Sequence, residues 1–135
     1  DLFCVDRHRE SFQELIKNNV DILFGNKEEI CSMIQSTSLE DAITYAKSLN
    51  IISIITHAEK GSLIINKNEV FEINPEKVDK VIDTTGAGDL YAAGFLHGIA
   101  NKKKLQECGR IASIAASEII SHYGARPLVK LSSLI

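Results

Sequence analysis

The sequence has little that would hold it in a membrane, cross-link it or bind it to nucleic acid. No apolar stretch approaches the ~18 residues of a spanning helix. The charged run Asp6-Arg7-His8-Arg9-Glu10, close to residue 1, is not the pattern of a secretory leader. Cysteine is scarce: Cys4, Cys31 and Cys108 are an odd number without CxxC spacing. They read as reduced thiols of a cytoplasmic protein rather than a disulfide framework or zinc site. There is no basic excess either, with a formal net charge of −3 and a pI near 5.8. The lone basic run, Lys102-Lys103-Lys104, reads as a solvated loop between two helices, so no nucleic-acid partner is expected. His8, His57, His97 and His122 share no HxxxH spacing, which argues against metal ligation by histidine.

What is present is an ordinary globular composition. Of 135 residues, 44% are hydrophobic and 24% charged, enough to bury a core and too apolar for disorder. No repeat, low-complexity tract or linker breaks the chain, which suggests one compact unit. Leu2-Phe3-Cys4-Val5 reads as a short buried strand, and Ser11 to Asn18 as a helix. Asp21 to Gly25 reads as a second buried strand. Asn26 is placed to cap a helix reaching Gln35, with Glu28 and Glu29 in its first turn. Ser38-Leu39-Glu40-Asp41 resembles a capping box before an amphipathic helix through Leu49.

Ile51 to Thr56 is β-branched and apolar, the strongest strand signal in the chain. Leu63 to Ile65 and Val70 to Ile73 read as antiparallel strands around Asn66-Lys67-Asn68. Val78 to Ile82 reads as a strand leading into a glycine-rich turn. Ala87 to Ala100 is a helix of small residues in which Gly94 and Gly98 permit close packing on the sheet. Leu105, Cys108, Ile111, Ala112, Ala115 and Ile119 mark one face of a last helix, ended by Gly124 and Pro127. Alternating strands and helices give an α/β class: layered, a mostly parallel sheet with helices on both faces and a small antiparallel excursion.

The chemistry concentrates in Asp83-Thr84-Thr85-Gly86-Ala87-Gly88-Asp89. Gly86 and Gly88 let the backbone turn tightly and approach a ligand without Cβ interference. Free N–H groups at the helix start, with the dipole behind them, favour an anion such as phosphate. Asp89 would repel that anion unless it serves a nearby hydroxyl, which is what phosphoryl transfer requires of a base. Taken alone, a GxGD turn fits better an acid that complements the helix dipole and glycines that only form a loop. It is neither a Walker loop nor a dinucleotide fingerprint.

The longer string Asp83 to Asp89, continued by Leu90-Tyr91-Ala92-Ala93-Gly94-Phe95-Leu96, resembles the signature of the ribokinase-like (PfkB) carbohydrate and nucleoside kinases. That signature is D-T-x-G-A-G-D-x-F-x-x-G-F-L, and Tyr91 stands where Phe is usual. The resemblance implies that Asp89 is the base and that the N–H groups of Gly86, Ala87 and Gly88 form the anion hole. Asn26-Lys27-Glu28-Glu29 resembles the family's N-x-x-E motif, which implies that Asn26 and Glu29 organise Mg²⁺ and phosphate. Thr56-His57-Ala58-Glu59-Lys60-Gly61 resembles its T-x-G-x-x-G nucleotide loop, so Thr56 and Gly61 carry over while Ala58 replaces the first glycine. Ser113 falls where members line the adenine pocket. Asp83 and Thr85, with the Gly124-Ala125 loop, fall near a monovalent-cation (K⁺) site of some members.

The implied cofactors are therefore ATP and Mg²⁺, with K⁺ a further candidate, and the implied partner is a small sugar or nucleoside. Phe3 to Arg9 and Ser121 to Pro127 resemble bacterial members labelled adenosine-kinase-like. Members are about twice this length or more. The resemblance therefore implies that residues 1–135 are a C-terminal ATP-binding and catalytic part, without the half that supplies the lid and the acceptor site. By itself it would catalyse little, and a homodimer or a separate chain would have to cover the exposed sheet edge.

Overall fold

The computed structural model describes all of residues 1–135. The elements in order are α1 (Leu2–Arg7), α2 (Arg9–Asn19), β1 (Ile22–Asn26), α3 (Lys27–Met33), α4 (Leu39–Ser48), β2 (Ile52–Thr56), β3 (Ser62–Asn66), β4 (Glu69–Ile73), α5 (Ala87–Ala100) and α6 (Leu105–Ile119). Short 3-10 turns lie at Ala58–Lys60 and Leu131–Ser133. The chain divides into two compact units rather than the one expected: residues 1–58 with 63–71, and residues 59–62 with 72–135. No helix is long and apolar enough to cross a membrane.

The four strands form one sheet in the order β1-β2-β3-β4. β1 and β2 are parallel, with Leu23 opposite Ser53 and Gly25 opposite Ile55. The connections from β2 to β3 and from β3 to β4 are too short for a crossover, so these neighbours run antiparallel. Lys67, in the left-handed region at φ 56°, makes the tight turn between the last two.

In the first unit Ile55 and Ile65 pack with Ile30 and Cys31 of α3 and Ala42 and Ala46 of α4. The alternate residues Ile54 and Ile64 are also fully buried, so both faces of the inner strands are covered. Each such isoleucine contributes about 1.5–3 kcal/mol relative to exposure.

Leu2 to Arg7 is a helix, not the expected strand. A four-residue apolar run carries no period of its own, and here Asp1 accepts from the N–H of Cys4 at 3.0 Å, an N-cap. Only Val5 of the run is buried, and Phe3 is 79% exposed. Val5 joins Ile16 of α2 and Met33 of α3 in a second apolar cluster. Arg9 Nε and Gln13 Nε2 donate to the carbonyls of Ser32 and Met33, both at 2.9 Å, satisfying the end of α3.

The second unit is built on α5 against α6. Gly94 and Gly98 serve close packing, but on α6 rather than on the sheet. A Cβ on Gly94 would sit 2.8 Å from Ala112 Cα, and one on Gly98 would sit 2.7 Å from Cys108 Sγ. Every residue of the expected α6 face is buried except Leu105, which is half-buried. Residues 78–82 do not form the expected strand. Val81 is exposed, and the segment is held by one backbone bond, Ile82 N–H to Ile120 O at 2.8 Å.

Candidate active site

α5 starts at the expected place and in an unusual way. Its N-cap is Gly86, left-handed at φ 82°, with no side-chain cap. A Cβ there would lie 3.1 Å from Ala125 Cβ, whereas one on Gly88 would meet nothing within 4 Å. The N–H of Ala87 is already committed to Thr84 O at 3.1 Å. Of the three N–H groups expected to face an anion, those of Gly86 and Gly88 take no acceptor within the chain. Asp89 is exposed in the first helical turn, directly after Gly88.

Asp83 braces this turn. Its Oδ1 accepts the N–H of Thr85 at 2.9 Å and its Oδ2 the N–H of Gly124 at 3.2 Å. Hydrogen bonds from Thr85, hydroxyl and N–H, and then from Gly124 hold its carboxyl below the ordinary range. The 83–85 segment and the 124–125 loop, expected to share a cation, are thus joined. Thr85 itself is exposed, and no three His, Cys, Asp or Glu side chains gather into a metal cluster.

Asn26 and Glu29 form a reciprocal capping box. Asn26 Oδ1 accepts the N–H of Glu29, and Glu29 Oε2 accepts the N–H of Asn26, both at 2.8 Å. Glu29 Oε1 takes no part in the cap and is left as a free acceptor there. A magnesium ion takes one or two carboxylates besides phosphates and water, and this donor fits that demand.

Thr56 ends β2 half-buried, and Gly61 is left-handed at φ 84°. No other residue fits there, because a Cβ would lie 2.1 Å from Ile73 O. Ala58, where the family signature has glycine, holds the left-handed region at φ 43°. A residue bearing a Cβ holds that conformation at a cost of about 1–2 kcal/mol. Ser113 is buried and braces the backbone, accepting the N–H of Glu76 at 3.0 Å and donating to Asn74 O at 3.4 Å. It does not line the adjoining groove of about 820 Å³, whose walls include Val78, Ile82, Ile114 and Ser117.

Two further contacts escaped the sequence reading. Tyr91 and Ser62 share a buried hydrogen bond of 2.6 Å, which ties the residue after Gly61 to α5 and gives the tyrosine a use that phenylalanine lacks. At the end of α6, His122 lies between Glu118 Oε1 and Tyr123 O, each at 3.2 Å. The Tyr123 carbonyl and then Glu118 raise the His122 pKa, and two acceptors suit a doubly protonated ring. A Glu and a His four apart at a helix end was the signal available.

Helices packed with a mixed sheet define the α/β class, and the start of α5 leaves N–H groups open beside an exposed carboxylate. The chain belongs to the pfkB family of carbohydrate kinases, whose model matches residues 4–131. Among relatives, a nucleoside kinase of Methanocaldococcus jannaschii is 35% identical over 120 residues, covering 87% of this chain and 38% of the relative. Among solved structures, a probable sugar kinase from Rhizobium etli matches with a TM-score of 0.96 at 38% identity. An adenosine kinase from Sinorhizobium meliloti matches equally, with a TM-score of 0.96 at 36% identity. Both cover 99% of this chain, which spans 41% of each of theirs.

Proposed function

We propose that residues 1–135 are the phosphoryl-transfer part of an ATP-dependent kinase acting on a hydroxyl of a sugar or of a nucleoside. The observation that carries this reading is the start of α5: a left-handed Gly86 without a side-chain cap, N–H groups without acceptors, and exposed Asp89 beside them. In this reading Asp89 takes the proton of the acceptor hydroxyl as its oxygen bonds to the γ-phosphorus. The bond from that phosphorus to the bridging oxygen breaks, and ADP leaves. Charge growing on the transferred oxygens faces the N–H groups of Gly86 and Gly88 and the positive end of α5. The Ala87 N–H joins them only if it leaves Thr84 O.

Magnesium, bound with the nucleotide, would neutralise phosphate charge. Glu29 offers Oε1 to it, and Asn26 fixes Glu29 through the cap. The groove between residues 76–82 and α6 is of a size to take the nucleotide base. Asp83, Thr85 and the Gly124-Ala125 loop are the candidate surroundings of a monovalent cation. The sugar and adenosine kinase structures match equally well, which supports both acceptor classes.

The test is ATP-dependent phosphorylation of ribose, fructose, adenosine and cytidine by the protein that carries this segment together with any acceptor-binding half. The expected outcome is ADP release with one acceptor class. A folded protein that binds Mg-ATP without turnover on any acceptor would point instead to a nucleotide-binding module, and absence of both would defeat the proposal.

A further inference from the structure

We infer that Glu118 is a positioning residue for the phosphate turn, closing the 122–128 loop so that Gly124 and Ala125 hold Asp83 and Gly86 in place. This rests on the phosphoryl-transfer reading above. Glu118 sits in the last turn of α6 with its side chain only 9% exposed. Its Oε1 accepts from both ends of the loop: His122 Nε2 at 3.2 Å and the N–H of Leu128 at 2.9 Å. Its Oε2 is buried without a partner.

Burying a carboxylate with one oxygen unpaired is unfavourable, so two bonds from one oxygen must matter to the loop they close. Between those two points the chain does two things. The N–H of Gly124, left-handed at φ 94°, donates to Asp83 Oδ2, and Ala125 fills the space beside Gly86. Asp83 in turn holds the N–H of Thr85, immediately before Gly86, the N-cap of α5. A continuous set of contacts therefore runs from Glu118 to the turn that carries Gly88 and Asp89. Glu118 touches neither the turn nor any reacting group, and its influence passes through the loop.

The test compares wild type, Glu118→Ala, Glu118→Gln and Leu128→Pro in the active full protein, by amide hydrogen exchange at Gly124 and by steady-state kinetics. Glu118→Ala should speed exchange at Gly124 and lower kcat on the order of 10–100-fold, with a smaller change in KM for ATP, as misplacement at a distance does. Leu128→Pro deletes one donor and should do the same to a lesser degree. Glu118→Gln keeps an oxygen acceptor for both donors and should recover most of kcat.

Unchanged Gly124 exchange in a folded Glu118→Ala protein would overturn the inference, as would equal losses in the Gln and Ala variants. If the Ala variant does not fold, unchanged exchange and kcat in Leu128→Pro overturn it instead. A wild type that transfers no phosphate would defeat the functional reading, while exchange at Gly124 would still decide whether Glu118 holds the loop.

Discussion

The chain builds two of its helix starts in opposite ways. α3 begins with a closed capping box in which Asn26 and Glu29 satisfy each other's backbone N–H groups. α5 begins at a left-handed glycine with no side chain to offer. A good cap is worth about 1 kcal/mol, and α5 forgoes it. Its stability comes from its length and from the close face of Gly94 and Gly98 against α6. Because packing rather than capping holds α5, its first N–H groups remain open to a ligand. The α3 start shows the other use of the same geometry, where backbone donors are spent on fixing a carboxylate.

Activity and stability should respond oppositely at the two starts. The largest effect is expected for Asp89→Asn, with kcat in the full protein falling about 10²–10⁴-fold, the range of general-base contributions. The melting temperature should barely move, since an exposed first-turn acid stabilises a helix by only about 0.3–1 kcal/mol. A lowered melting temperature with kcat intact would make Asp89 a dipole partner and nothing more. Next is Gly86→Ala, which forces a Cβ into the left-handed region and against Ala125. We expect a loss of about 1–2 kcal/mol in urea unfolding, together with reduced kcat.

Asn26→Ala should cost about 1 kcal/mol by the same measurement, and Asn26→Gly only a few tenths. Equal costs would show that the capping bonds are not what holds α3. The smallest effect concerns pH. Asp83 has its carboxyl lowered by Thr85 and Gly124, so its contribution is complete above the ordinary carboxylate range. It is lost as pH falls through the depressed folded value. Urea unfolding of wild type and Asp83→Asn from neutral to strongly acidic pH should differ most at neutral pH and converge in acid. Curves that stay parallel would show that Asp83 does not brace the loops.

Local signals in the sequence were readable because they are local. Asn26 and Ser38 cap where their side chains reach the third following N–H, and the full span of α5 follows from its glycine start and its richness in small residues. The α6 face was legible from its period. The Leu2–Val5 run was misread because four apolar residues fit either period. Residues 78–82 were misread because β-branched residues mark a strand only where a neighbouring strand offers a ladder.

Within the candidate site, the signature string points to Gly86, Gly88 and Asp89, which lie together at the start of α5, and the loop after β2 has left-handed backbone at Ala58 and Gly61. The position of Ser113 in the family suggests a pocket lining, and what the sequence does not show is that its hydroxyl bonds residues 74–76. The contacts of Asp83 with Gly124, Ser62 with Tyr91 and Glu118 with Leu128 could not be read in advance, since each joins residues that chain order keeps apart.

The sequence by itself determined the helix starts, the strands with a strong apolar period and the family's glycine turn, because each depends on residues within a few positions of one another. Only the tertiary structure decided which N–H groups stay open, which carboxylate oxygens are already spent, and what Gly94 and Gly98 pack against. Those outcomes depend on hydrogen-bond partners and packing neighbours that folding brings from elsewhere in the chain.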